Sequence, residues 1–341
     1  MMPAGTKAYE YVAINAALQQ PADCRDCVSV QDFSPEETTS LFELAHVIKG
    51  RPADFRGALA GKQLVLFFEK ASLRTRLTFE AGMASLGGTS LFVDQTRSRL
   101  SEREPVCDIA RNVERWVDAV VLRTYDHATI VEMARHASIP VINALSDYEH
   151  PCQAYADYFT LEERFGDLSK IHVAYVGDGN NVAHSLLLAA ASLGSSIAVA
   201  TPHGYAPLPD VIKAARAIAK KTGAIIEVTE DPISACTGAN AIYTDVWASM
   251  GQEDQAAKRA KIFLPYQVNK KLFALAASDA VFMHCLPAHR GEEVAADVID
   301  SPRSVIYDQA ENRMHVQKAI LLSLLGGGIR PASRNGRNNH A

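Results

Sequence analysis

No apolar run in this 341-residue chain approaches the roughly 20 residues that cross a bilayer, so no helical membrane span is expected. Cysteine is scarce. Its six residues are too few and too scattered for a disulfide framework. Cys24 and Cys27 form a lone C-x-x-C, with neither a second such pair nor a nearby His pair to complete a zinc site. An excess of basic charge is also missing: 34 Lys and Arg stand against 39 Asp and Glu, a formal charge of -5. That balance gives no reason to expect nucleic acid as a partner. The first thirty residues contain Glu10, Asp23 and Asp26 and little basic charge, unlike a secretory signal or an Arg-rich organelle presequence. The expected compartment is the cytoplasm.

Two nucleotide motifs are absent as well. No G-x-x-x-x-G-K-[ST] loop occurs, which argues against a P-loop site. "VGDGNNVAHS" opens like a dinucleotide fingerprint with Gly177 and Gly179, but Val182 stands where the third glycine belongs. The next strand candidate ends "VATPHG", without the acid that holds a ribose. A nicotinamide dehydrogenase is therefore the losing alternative, and no cofactor is expected.

What is present is a regular alternation of strand and helix signals. The chain is longer than one hydrophobic core usually organises, so two domains are expected. In "SPEETTSLFELAHVIKG", Ser34 and Glu37 form a capping box, Pro35 takes the first helical position, and Leu41, Leu44, Ala45 and Ile48 line one face. Strand candidates follow as "KQLVLFF", "TSLFVD", "DAVVL" and "PVINA", then as "IHVAYV", "SIAVAT", "AIIEV", "AIYT", "AVFMH" and "SVIY". Helical segments fill the intervals. The fold class this implies is α/β: two tandem doubly wound domains with parallel sheets, joined by interdomain helices. The joint falls in "SDYEHPCQAYADYFTLEERFG", where Pro151 opens a long amphipathic helix, and a last helix runs from about Glu311 to Leu325. Beyond it lies a polar tail.

In parallel sheets ligands gather beyond the carboxyl ends of strands. The stretch "EKASLRTRLTFE" sits there. If "LTFEAGMASLG" is helical, Ser72 to Arg76 form its first turn, where free N–H groups, hydroxyls and guanidiniums suit a phosphate dianion. The plain alternative is a capped helix with solvated arginines. Four further stretches place polar groups at strand ends or the joint: Arg123 in "VVLRTY", His150 and Gln153 in "HPCQ", Asp245 and Ser249 in "DVWASMG", and His284 with Cys285 in "FMHCLPAHR". Each alone has a structural reading, as a helix cap, a satisfied histidine or a small buried thiol.

In this order and at these separations the stretches resemble the aspartate/ornithine carbamoyltransferase family, from "VSVQDFSPEE" to "ENRMHVQKAILLSLL". The signature S-T-R-T-R appears as S-L-R-T-R, H-P-x-Q as "HPCQ" and H-C-L-P as "HCLP". The resemblance implies transfer of a carbamoyl group from carbamoyl phosphate to the δ-amine of L-ornithine. It implies Ser72, Leu73, Arg74, Thr75, Arg76 and Arg99 as phosphate-binding positions, and Arg123, His150 and Gln153 around the carbamoyl group, with Arg and His polarising its oxygen. Asn181, Asp245, Ser249, Met250, Cys285 and Leu286 match ornithine-binding positions. Cys285 is expected to orient and deprotonate the amine, and Arg313 to lie close by. Charge supports the acceptor: an aspartate would need basic residues for its second carboxylate, whereas "DVWASMG" offers an acid. The domains implied are 1–149 for carbamoyl phosphate, completed by helix 312–326, then 150–311 for ornithine and 327–341 as tail.

Two departures stand out. Leu73 replaces the usual threonine of the signature, removing a hydroxyl. "RLSERE" stands where H-L-G-x-x-E is common, with Arg99 in place of the histidine; Arg99 is expected to supply a cation across a subunit boundary, because the family resemblance also implies a homotrimer or a multiple of it. The "DVWASMGQED" region is the expected moving loop. Two rivals remain at this point: a carbamoyltransferase for another amine such as putrescine or an acylated ornithine, and a non-catalytic anion-binding regulatory chain. No metal site is expected, since His284 and His289 lack a further ligand at suitable spacing.

Overall fold

The computed structural model describes residues 26–248 and 253–326. Cys24, Ser249 and Met250 lie outside them, as does part of the expected moving loop. Helices of eight or more residues are numbered in chain order.

The first half begins with α1 (Pro35–Gly50), whose capping box forms as the sequence indicates: the Ser34 hydroxyl accepts from the Glu37 N–H, and the Glu37 carboxylate accepts from the Ser34 N–H. It continues with β1 (Gln63–Phe68), α2 (Leu73–Ser85), β2 (Thr89–Asp94), α3 (Val106–Val113), β3 (Ala119–Arg123), α4 (His127–His136) and β4 (Val141–Leu145). Then α5 (Pro151–Phe165) crosses to the second half: β5 (His172–Val176), α6 (Asn181–Leu193), β6 (Ser196–Ala200), α7 (Pro209–Thr222), β7 (Ile226–Thr229), β8 (Ala241–Thr244), α8 (Ala256–Phe263) and β9 (Val281–His284). The last helix, α9 (Ile306–Leu325), starts five residues earlier than the apolar pattern alone suggests.

Both sheets are wholly parallel. The first has the order β2-β1-β3-β4 and the second β7-β6-β5-β8-β9. The expected strand "SVIY" does not form. Ser304 makes a single bridge to Phe282, the Val305 N–H donates to the Phe282 carbonyl, and the chain then turns into α9. The helix wins because Ile306 already buries its side chain in the second half's outer cluster, while Asp308 favours a helical first turn.

One large apolar cluster runs through both halves. Phe68 of β1 and Phe79 of α2 belong to it, as do Tyr175 of β5 and Tyr243 of β8. Between them lie α5, buried along Pro151–Leu161, and α9, which packs against α1, α2 and α5 and also meets β9. The last helix therefore returns to the first half. Among the described residues no helix is long and apolar enough to cross a membrane.

Candidate active site

Strand order dictates where the site forms. In the first sheet β1 lies between β2 and β3, so the crossovers leaving β1 and β3 depart in opposite directions and open a crevice at their carboxyl ends. In the second sheet the same reversal falls between β5 and β8. Arg123 ends β3, and the Ser72–Arg76 stretch follows β1 by three residues.

Ser72 is the N-cap of α2. Its hydroxyl accepts from the Thr75 N–H at 3.3 Å and donates to the Thr75 hydroxyl at 2.9 Å, which leaves the remaining first-turn N–H groups aimed outward with the positive dipole end. The loop ahead of it is held by buried Glu69, whose carboxylate accepts from the N–H groups of Leu100 and Tyr125. Arg313 reaches across from α9 and donates to the Thr75 hydroxyl at 2.7 Å.

Three guanidiniums converge here. Burial, then the neighbouring Arg313, then Arg74, bring the Arg123 guanidinium down to about 9, with the Cys285 sulfur acting the other way. The Arg313 guanidinium is lowered chiefly by burial, with Arg74 adding to it. Lys70, buried and over the Tyr125 ring, is lowered by burial and then by Arg123. His150 is held well below the usual histidine range by burial, Arg313 and Arg123, so its imidazole is neutral at physiological pH. A buried cluster of like charge is costly by itself; a dianion seated on it converts that cost into affinity.

At the second reversal, Asn180 caps α6 by accepting from the N–H groups of Val182 and Ala183, and donates from Nδ2 to Asp245 Oδ2 at 2.8 Å. Asp245 follows β8; its other oxygen accepts from the Val246 N–H at 2.8 Å and from the Cys285 thiol at 3.1 Å. Burial and then Asp245 hold the Cys285 thiol well above the usual thiol range. In the structure the thiol stands as a hydrogen-bond donor to Asp245. The Leu286–Pro287 bond is cis, and the Leu286 N–H donates to His284 Nδ1 at 2.8 Å. At the mouth of the acceptor segment, Arg259 forms a buried ion pair with Asp178 at 2.9 Å and donates to the Trp247 carbonyl at 2.8 Å.

The glycine pair that imitates a dinucleotide fingerprint has another use. A Cβ on Gly179 would fall 2.3 Å from the Pro207 nitrogen, and the Gly179 N–H donates to the Tyr205 carbonyl. The chain at Tyr205–Pro207 therefore packs directly on Gly179, which leaves no room for a side chain there.

The structure gathers Ser72, Arg74, Thr75, Arg123, His150, Gln153 and Arg313 on one side, and Asp245 and Cys285 on the other, with the Cys285 sulfur close enough to act on both Arg123 and Arg313. Other expected residues sit differently. Arg76 pairs with Glu80 at 3.2 Å and stacks over the Phe92 ring at 3.7 Å, so its charge is engaged along the helix flank. Arg99 pairs with Asp126 of its own chain at 2.6 Å on the surface. Leu73 is 72% exposed. Asn181 donates to the Ser146 carbonyl at 2.6 Å, tying the two halves together.

Asp157, Gln309, Tyr243 and Asn180 escaped the sequence reading. Asp157 had a signal, lying four residues after Gln153 on one helix face; Gln309 and Tyr243 join it only through tertiary contacts. The fold also brings Asp245 within 4.8 Å of His284 and Cys285, a potential ligand group that sequence spacing concealed. Its donor atoms are engaged with one another and with the Leu286 N–H.

Comparison with known proteins follows the same division. A family model described as the carbamoyl-P binding domain of aspartate/ornithine carbamoyltransferase matches residues 25–163, and that of the Asp/Orn binding domain matches 169–324. An ornithine carbamoyltransferase from Pyrococcus abyssi is 51% identical over 308 residues, 89% of this chain and 96% of that protein. The ornithine carbamoyltransferase structure from Pyrococcus furiosus superposes with a TM-score of 0.86 at 50% identity, covering 89% of this chain and 98% of that one. The anabolic ornithine carbamoyltransferase of Campylobacter jejuni superposes with a TM-score of 0.83 at 38% identity, covering 88% and 98%.

Proposed function

This chain belongs to the aspartate/ornithine carbamoyltransferase family, and from that premise we propose that it transfers the carbamoyl group of carbamoyl phosphate to the δ-amine of L-ornithine, giving L-citrulline and phosphate. The observation that carries the chemistry is the convergence of Arg74, Arg123 and Arg313 on the N-terminus of α2.

The steps follow from the geometry. The phosphate dianion sits on the first turn of α2, where N–H groups and guanidiniums meet it. Arg123 and the neutral His150 donate to the carbamoyl oxygen, which becomes an oxyanion as the amine attacks. A neutral imidazole can donate there without adding another charge to a crowded cationic site. The C–N bond forms, the C–O bond to phosphate breaks, and phosphate leaves carrying the proton that the amine gives up. Ornithine presents its α-ammonium to Asp245, with Ser249, Met250 and Asn181 as the remaining acceptor positions. Cys285, donating to Asp245, orients the amine end, and its partly apolar surroundings favour the unprotonated amine.

The division of labour is carbamoyl phosphate on residues 1–149 with helix 312–326, and ornithine on 150–311; the packing of α9 on α1 and α2 supports it. The working assembly is a homotrimer or a multiple of it. Supporting this are the edge position of β2 and the exposed apolar side chains beside it, Leu73, Leu77 and Leu91. In that assembly Arg99 leaves Asp126 for the phosphate of a neighbouring subunit. Arg99→Ala should then raise the KM for carbamoyl phosphate about tenfold, the weight of one charge-assisted contact. An unchanged carbamoyl phosphate dependence, or full activity in a sedimenting monomer, removes this role. The free buried thiols of Cys27, Cys152 and Cys236 agree with a reducing compartment, the cytoplasm.

Production of citrulline and phosphate in equal amounts by the purified protein, dependent on both substrates, tests the reading. Carbamoyl phosphate binding without turnover would favour the regulatory alternative.

A further inference from the structure

We propose that Asp157 is a positioning residue that turns the Gln153 amide oxygen toward the reacting carbamoyl group, and that this orientation sets a preference for carbamoyl phosphate over acyl phosphates of the same shape. The inference rests on the functional reading above and adds to it the origin of donor-substrate selectivity.

The amide sense can be read from the network around α5. Gln309 offers a fixed point: its Oε1 accepts from the His284 N–H at 3.0 Å, and a backbone N–H can only donate. The Gln309 Nε2 must therefore face the other way, where it donates to Asp157 Oδ1 at 2.7 Å and approaches the Tyr243 hydroxyl at 3.2 Å. Asp157 Oδ1 is thereby an acceptor. The Gln153 amide reaches this same oxygen, with Nε2 at 2.7 Å. Were Gln153 turned over, two oxygens would meet. The carboxylate thus holds both amides in one sense, and the Tyr243 hydroxyl and Arg313 guanidinium further favour its ionised form, although burial brings it up to about 7.

The consequence appears at the other end of Gln153. Its Oε1 is buried and meets no donor within the described protein, on a residue only 1% exposed. A buried acceptor with no donor costs free energy until a ligand supplies one. Gln153 lies in the first turn of α5 beside His150, on the side of the crevice where Arg123 and Arg313 meet the imidazole. The carbamoyl group carries an NH2 that can donate to this oxygen. Acetyl phosphate has nearly the same shape and charge but puts a methyl group there, leaving Oε1 unsatisfied. Sites built around such an acceptor reject the analogue that lacks the donor.

Calorimetric binding of carbamoyl phosphate, acetyl phosphate and inorganic phosphate to the full-length protein tests this. Wild-type protein should bind carbamoyl phosphate about 10- to 100-fold more tightly than acetyl phosphate. In Asp157→Asn, whose amide can face Gln153 in either sense, that ratio should fall to within about threefold, while inorganic phosphate binding shifts less than about threefold. A purely structural role would weaken all three ligands together and leave the ratio unchanged, and that result overturns the proposal. Gln153→Met asks the same question without touching the buried acid: a retained wild-type ratio there overturns the proposal even if Asp157→Asn fails to fold. Wild-type protein that makes citrulline but binds both acyl phosphates equally also overturns it. Protein that prefers carbamoyl phosphate but makes no citrulline sinks the functional reading and leaves this inference standing.

Discussion

Replacing Arg123 with methionine lowers kcat for carbamoyl transfer by about 100- to 1,000-fold, the range seen when one preorganised oxyanion donor is removed. Arg123 ends β3 in a position only 8% exposed, so its guanidinium cannot be replaced by water at little cost. Its neighbours Arg74 and Arg313 remain on the α2 side and continue to hold phosphate, so the KM for carbamoyl phosphate should change far less than kcat. Arg123→Lys should recover little, because a single ammonium on a flexible stem does not reproduce a planar fork. Steady-state kinetics with both substrates varied separates the two parameters. A variant with unchanged kcat and a raised carbamoyl phosphate KM would move Arg123 from the oxyanion to the phosphate.

Asp245→Ala is expected to raise the KM for ornithine about 100-fold or more, since it strips the buried partner from an ammonium. Asn180, Cys285 and the Val246 N–H all donate to this carboxylate, which makes it the acceptor around which the acceptor half of the site is arranged. Asp245→Asn keeps the shape and loses the charge, so its KM should fall between those of wild type and alanine. Inorganic phosphate binding at α2 serves as the control, because the Cys285 thiol stands between that cluster and Asp245. An ornithine KM that Asp245→Ala leaves unchanged would place the α-ammonium elsewhere.

Local features of this site were legible because local physics fixes them. The Ser34 cap and the helix that opens at Ser72–Arg76 are read from residue type and spacing, and strands such as "QLVLFF" announce themselves by continuous apolar runs, as buried parallel strands do. Strand ends then locate Arg123, Asp245 and Cys285. What the sequence concealed depends on partners far along the chain. Arg76 and Arg99 look alike as free cations in sequence, yet Phe92 with Glu80 claims one and Asp126 the other. "SVIY" has strand composition but lies where β9 offers only one bridge before burial of Ile306 favours a helix. The Asp157 network joins α5, β8, β9 and α9, and nothing in a single segment reveals that four elements meet at one carboxylate.

The central claim is that a cationic crevice at one strand reversal presents carbamoyl phosphate to an amine held by an acid at the other. Carbamoyl transfer by the purified protein to ornithine, putrescine, N-acetylornithine, lysine and aspartate at equal concentration tests it most directly. A strong preference for ornithine that Asp245→Ala abolishes is the expected result; equal or faster transfer to putrescine or N-acetylornithine, neither of which has a free α-ammonium flanked by a carboxylate, would contradict it.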